Sequence, residues 1–579
     1  MHGPEPKTAA AVAPPPRLRF AAPIHGWLLL LPAAVLLATF THYPAVATII
    51  DSFYSTPKAR RAAVFVGADN YQAMLGDPVF WRALLNNIVY AASVIPLTIA
   101  IALAMALWVN GKIAGRPLLR LSFFTPTVLP MIAVANIWLF FYAPGYGLLD
   151  QILGLFGISS HNWLGDQHTA LLCLIAVAVW KDAGFFMIFY LAALQQISPQ
   201  LGEAAAIEGA SRWYFFRRVT FPLLMPTTLF VLVNQRLPPD RPYRGNDPGR
   251  AGQRHGAHLV LHLRGRLQVL GHRLRGDADR GAARPVGAAG ARPIPHPRPP
   301  DSLSMSALQT SGRGAAALET AGAWLLALIW ILPLAYALWA AVHPSAYSAH
   351  FVLNAPLTFE NFARAWNAAP FARYFLNTFL LVTMILAAQL VLCTLAAYAF
   401  ARFSFRGRDL AFVLVLLQLM VMPDVLIVEN YRTMSALGIV DTIPAIGLPY
   451  MASTFGIFLL RQTFKSVPRE LDEAARVEGA GPLAVLLKVY VPLAKPVYIA
   501  YGLVSVSYHW NNFLWPLIVT NSVNTRPLTV GLEIFASTDQ GIDWSVITAA
   551  TLMTSAPLLV AFLLFQRQFV QSFMRAGIR

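Results

Sequence analysis

Charge is what this sequence has least of. Only 12% of its 579 residues are Asp, Glu, Lys or Arg, against 57% hydrophobic ones, where a soluble domain carries about 25% charged residues. Cysteine is nearly absent as well. Cys173 and Cys393 both fall inside apolar runs, which excludes a disulfide framework and reads as two small buried hydrophobes rather than a metal pair. There is no GxxxxGK[ST] phosphate loop, so the chain has no such device for holding a nucleoside triphosphate. No cluster of His, Asp and Glu has metal-binding or acid–base spacing, which argues against a membrane enzyme. The first twenty residues, MHGPEPKTAAAVAPPPRLRF, are rich in Pro and Ala and lack the apolar core of a signal peptide.

What the sequence has in abundance is apolar runs of about 20 residues, long enough to cross a hydrocarbon core of about 30 Å. Spans are predicted near 27–49, 83–108, 120–142, 168–193 and 219–235, and again near 319–342, 375–400, 409–428, 442–461, 488–519 and 546–567. Basic residues sort them by side, because loops on the inner face carry the excess of Lys and Arg. Lys112, Arg116 and Arg120 share one loop, and Arg212, Arg217 and Arg218 another. The loop between these, APGYGLLDQILGLFGISSHNWLGDQHT, has neither residue type. In the second half Arg402, Arg406 and Arg408, then Arg461, Lys465, Arg469, Arg476 and Lys488, then the tail from Arg567 to Arg579, all read as inside. The parity does not close. Five spans that start inside leave the chain outside at Arg236, yet the second half must start inside.

The segment from Gln235 to Pro300 holds thirteen arginines against four aspartates and no lysine. Its most apolar part, HLVLHLRGRLQVLGHRLRG, cannot span, since each arginine costs about 2.5–3.5 kcal/mol at mid-bilayer. Arg-rich arms do bind nucleic acid, but this one lacks lysine and an aromatic stacking platform. A natural linker on the inner face would leave the missing span unexplained.

The chain also repeats itself. EAAAIEGASRWYFFRRVTFPLLMP from Glu203 and EAARVEGAGPLAVLLKVYVPLAKP from Glu473 align without a gap at an offset of 270, matching Glu208 with Glu478, Gly209 with Gly479, Pro222 with Pro492 and Pro226 with Pro496. VGADNYQAM around Asn70 is similar to LTFENFARAW around Asn361, and WRALLNNIV to FARYFLNTF. The halves are therefore homologous modules in the same order. EAAxxEGA itself reads as a short helix of good helix formers ended by a glycine at positive φ, followed by an amphipathic stretch and a proline. A helix–Gly–helix on the inner face suits docking into another protein's groove, where small alanines permit close approach and a glutamate can pair with a basic partner.

This motif resembles the EAA loop of the permeases of ABC importers, in the binding-protein-dependent carbohydrate uptake family that includes the maltose and glycerol-3-phosphate systems. The resemblance covers about 20–235 and 305–579. The second half, with MPDVLIVENYRTMSALGIVDTIPAIGLPYMASTFGIFLLRQTF and WNNFLWPLIV, is similar to the partner subunit of the first. One departure is Glu208 and Glu478, where the family often has Asp. The resemblance implies an all-α polytopic membrane protein of two permease modules, with about five intact spans in the first and six in the second. A polar tail would occupy 1–22, the first module 23–234, a disordered Arg/Pro/Gly-rich segment 235–304, and the second module 305–579.

It further implies import by alternating access in a bacterial inner membrane, of a sugar, polyol or glycerol-3-phosphate-like solute. Two ATPase subunits, carrying the ATP and Mg that this chain does not bind, would take the coupling residues Glu203, Ala204, Ala205, Glu208 and Gly209 and their repeats Glu473, Ala474, Ala475, Glu478 and Gly479. A solute-binding protein would deliver substrate outside. Lipid is the remaining partner, and nucleic acid is not expected. Asn430, Tyr431, Trp510, Asn511, Asn512 and Trp515 offer amide and aromatic surfaces suited to a polyol, or equally to helix packing. Lys181 and Arg432 are the basic groups available to an anionic solute. A gradient-driven carrier is the rival reading, with Lys181–Asp182, Asp424 and Glu429 as its ionisable groups.

Permeases of this family have a sixth span after a GGP-containing outer loop, which the first module lacks. Shifted by one nucleotide, GNDPGRAGQRHG permits VMTRGGPDNAT, and its flanks also permit family-like sequence. A frameshift near Asn234–Gln235 would both garble the end of one gene and carry translation into a second whose start is Met305.

Overall fold

The computed structural model describes residues 17–55, 63–111, 113–234, 305–347, 351–352, 354–536 and 543–575. The segment 235–304, with its expected disorder and frame shift, and most of the 1–22 tail lie outside the described residues. Among those described, the chain is helical, with one isolated bridge between Tyr54 and Phe65.

Six helices are long and apolar enough to cross a membrane: Ile24–Asp51, Pro78–Asn110, Ala170–Leu194, Ala317–Ala341, Phe371–Arg402 and Trp544–Leu564. The runs predicted as single crossings at 120–142, 409–428, 442–461 and 488–519 are instead bent. Arg116–Val128 meets Met131–Phe141 at 103°, and Arg408–Met420 meets Pro423–Ala436 at 94°. Ile443–Tyr450 meets Thr454–Ser466 at 46°, and Pro482–Leu493 meets Lys495–Trp510 at 78°. The two sharpest breaks share a cause. A proline forces the residue before it out of the helical region, and Leu129 before Pro130 and Met422 before Pro423 are extended, with ψ of 138° and 128°. The fifth run of the first module is the helix Phe221–Asn234.

Proline also explains three π-helical turns. Ala38–His42, Phe216–Thr220 and Leu486–Tyr490 each end two residues before a proline, Pro44, Pro222 and Pro492. The ring cannot donate to, and collides with, the carbonyl one turn back, and a widened turn relieves both conflicts.

The helices form two compact units, and neither coincides with a sequence module. One comprises Met1–Thr48 with Leu381–Ser505, the other Ile49–Leu380 with Val506–Arg579. In the first unit Trp27 packs on Phe405 at 5.1 Å. Gln389, buried at mid-helix, donates to the Tyr450 carbonyl (2.7 Å) and accepts from Tyr501 (2.8 Å) and Ser505 (2.6 Å). Hydrocarbon offers no water to a stray amide, so such a group is satisfied internally. Cys393 is buried and free there, as Cys173 is in the other unit.

In the second unit Trp180 donates to the Trp330 carbonyl at 2.6 Å, and Phe140 lies between the rings of Tyr336 (4.5 Å) and Trp544 (5.2 Å). The first and last long helices of the second module therefore pack on helices of the first. The repeat is also visible as chemistry here. Asn70 donates to the carbonyls of Ser52 and Tyr54 at 2.9 and 2.8 Å, and Asn361 to those of Ala341 and His343 at 3.0 and 2.8 Å. Each module thus ties off the end of its first span with the same amide fork.

Candidate functional site

The two EAA segments fold alike, element by element, at the offset read from the sequence. Pro199–Ile207 and Arg469–Val477 are helices; Arg212–Phe215 and Pro482–Val485 are the short second helices; a π turn follows each. Gly209 and Gly479 stop the first helices with φ of +71° and +84°. The amide of Ala210 bonds back to Ala205, and that of Ala480 to Ala475, at 2.9 and 3.0 Å. These are the six-to-one bonds of a Schellman ending, which require the left-handed residue that glycine supplies most cheaply.

The coupling residues expected from sequence sit on the outside of these loops. Glu203, Ala204, Glu208 and Gly209 are exposed, as are Glu473, Ala474, Glu478 and Gly479, with Ala205 and Ala475 half-buried. Sequence reasoning missed a further pair. Ile207 and Val477 match at the same offset, and are 88% and 89% exposed. An apolar side chain is thus left bare at the same place in both copies. The signal was available as an apolar residue just before the second glutamate of each motif.

The loops are not identical. The second is braced by an Asp472–Arg476 ion pair at 3.1 Å, where the first has Gly202 and Ala206.

The six residues suggested for the solute path fall in both units. Asn430 and Tyr431 belong to one, on the helix Ile427–Ala436. Asn430 is buried with its Oδ1 unpartnered, and its neighbour Glu429 accepts from Arg432 at 2.8 Å. In the other unit Trp510 donates to the Thr554 carbonyl at 3.2 Å, the Asn512 carbonyl accepts from Thr529 at 2.7 Å, and Trp515 is buried. Asn511 donates to the Val128 carbonyl at 3.1 Å, leaving its own Oδ1 without a partner. Lys181 Nζ donates to the Leu129 carbonyl at 2.7 Å. Val128 and Leu129 are the last residues before the 103° break, so one amide and one cation cap carbonyls that the broken helix cannot satisfy.

Comparison with known proteins identifies the repeated module. The family described as the binding-protein-dependent transport system inner membrane component matches residues 78–236 and again 371–575. The probable ABC transporter permease protein YurM of Bacillus subtilis (strain 168) is 32% identical over 222 residues, 38% of this chain and 73% of its own. The sn-glycerol-3-phosphate transport system permease protein UgpE of Pectobacterium atrosepticum is 31% identical over 261 residues, 43% of this chain and 93% of its own. Among solved structures, that of a bacterial ABC transporter involved in the import of the acidic polysaccharide alginate is similar, with 22% identity over 46% of this chain and 98% of its own and a TM-score of 0.40. This multi-pass membrane chain therefore belongs to the binding-protein-dependent permease family of ABC importers and carries the family's module twice.

Proposed function

We propose that the chain forms the membrane pathway through which an ABC importer of the bacterial inner membrane takes up a sugar, polyol or glycerol-3-phosphate-like solute. Two separate ATPase subunits dock on the loops around Glu203 and Glu473, and their closure on ATP and Mg turns the pathway from outward- to inward-facing. A solute-binding protein delivers the substrate outside. The observation that carries this reading is the matched pair of loops, each presenting an exposed glutamate and a bare apolar residue, Ile207 or Val477, beside a glycine-ended helix. The glycerol-3-phosphate class is favoured by the transport system to which several relatives belong.

The test is the double variant Glu203→Ala with Glu473→Ala, co-expressed with candidate ATPase subunits and a solute-binding protein. Uptake of sn-glycerol 3-phosphate and solute-stimulated ATP hydrolysis should be lost while membrane insertion persists. Undiminished uptake would sink the coupling assignment, and uptake that follows a proton or sodium gradient without ATP would favour the rival carrier.

A further inference from the structure

The helix Phe371–Arg402 ends in a guanidinium whose partners lie on two other parts of the same unit. Arg402 Nη2 donates to the Phe464 carbonyl at 3.0 Å and to that of Val467, and the guanidinium lies over the ring of Tyr490, 4.9 Å from its centre. Each partner is at a boundary. Phe464 and Val467 close the helix Thr454–Ser466 just before the loop helix Arg469–Val477 begins, and Tyr490 is the last residue of the π turn through which the loop leaves. One cation thus holds both ends of the second loop.

The bonds have a plain physical basis. The last carbonyls of a helix lack intrahelical partners and carry partial negative charge, so a cation fits there, and a guanidinium can stack on an aromatic face while its edge donates. The surroundings are rigid. Tyr490 packs against Tyr398 at 5.2 Å and Phe464 at 5.4 Å, and Tyr490, Tyr398 and Phe464 are all buried. By contrast the loop helix Arg469–Val477 has no fully buried residue, although the Asp472 side chain is largely covered, so the hold on its ends contributes to its position. In the first module the residue matching Tyr490 is Thr220, which offers no ring to a cation.

We propose that Arg402 is a positioning residue for transport: by clamping both ends of the second coupling loop to the end of the Phe371–Arg402 helix, it makes loop and span move as one body. Displacement of the loop by a docked subunit then reaches Gln389 on that helix, and through it Tyr501 and Ser505 on the helix Lys495–Trp510. The inference rests on reading Arg469–Tyr490 as a coupling loop.

The experiment uses the full chain in lipid nanodiscs, with Cys173 and Cys393 replaced by Ser. Spin labels go at Val477 on the loop and Val391 on the span, both exposed. A control pair at Val391 and Ile499 reports on the spans alone. The parent should give a narrow Val477–Val391 distance distribution. Arg402→Met should broaden it, Arg402→Lys should restore part of the order, and the control pair should stay narrow in both. An unchanged Val477–Val391 width in Arg402→Met overturns the clamp. Equal broadening of the control pair also overturns it, by making Arg402 an ordinary fold residue. Uptake in Arg402→Met should fall about tenfold, within the usual range of coupling energies. Broadening with undiminished uptake would also overturn the proposal, because the clamp would then not serve transport, while the coupling reading keeps its own test at Glu203 and Glu473.

Discussion

Lys181 reaches across to the Leu129 carbonyl at 2.7 Å, one residue from the proline that breaks the neighbouring span. The ammonium therefore serves the helix break, and Asn511 caps the adjacent Val128 carbonyl from the second module. Lys181→Met should lower the thermal stability of the purified chain by about 1–3 kcal/mol, the cost of leaving a buried polar group unsatisfied. The apparent affinity for solute should stay the same. A changed affinity with unchanged melting would make Lys181 a solute contact instead.

The amide forks of Asn361 and Asn70 should differ in cost. Asn361 is 2% exposed whereas Asn70 is half-buried. Asn361→Leu strands two carbonyls away from water and should cost about 1–3 kcal/mol, and Asn70→Leu less, because solvent can replace its bonds. Melting of the two variants side by side checks the order. Equal losses would show that burial does not set the cost.

Gly209 and Gly479 have open space around the position a Cβ would take, so only backbone strain opposes substitution there. Gly479→Ala should cost about 1–2 kcal/mol of local helix-end stability, Gly479→Asn less, and Gly479→Val more. Hydrogen exchange of the Ala480 amide reads this directly. Equal protection in all three variants would remove the requirement for positive φ.

Acid should loosen the loop around Asp150 in the first module. Burial by itself raises the Asp150 carboxyl, but bonds from Ser160, the Gly145 amide, Trp163 and the His161 backbone outweigh it and hold the group below its ordinary value. A carboxylate depressed in this way stabilises the fold above the unfolded-state value of about 3.9, and that contribution is lost as pH falls through the lower native value. Asp150→Asn should melt earlier than the parent at neutral pH, with the difference shrinking in acid. A constant difference across that range would contradict the sign.

The reading-frame hypothesis has its own test. In the second module Asn377 donates to the carbonyls of Asn524 and Arg526 at 2.8 and 2.9 Å, in the loop before the last span. Asn87 is the matching residue of the first module, and the corresponding loop falls within 235–304. Sequencing the coding DNA across Asn234–Gln235 should show a shifted frame that encodes a GGP loop and an apolar span. A shifted frame filled with stops or polar codons would end the hypothesis. With the frame restored, Asn87→Leu should destabilise the first module as Asn377→Leu does the second.

The sequence by itself determined the membrane class, the two modules and the helix–Gly–helix loops. These depend on local properties: the length of an apolar run, the spacing of a repeated motif and the conformational freedom of Gly209 and Gly479. It also placed the prolines, although how far each span bends was open until neighbours took the freed carbonyls. Only the tertiary structure decided that Lys181 binds Leu129, 52 residues away, that Asn511 binds Val128 across 383, and that Arg402 caps Phe464 across 62. It also showed that each compact unit draws helices from both modules. Hydrophobic periodicity says that a face is buried but not which face covers it, and a buried cation or amide takes its meaning from that cover.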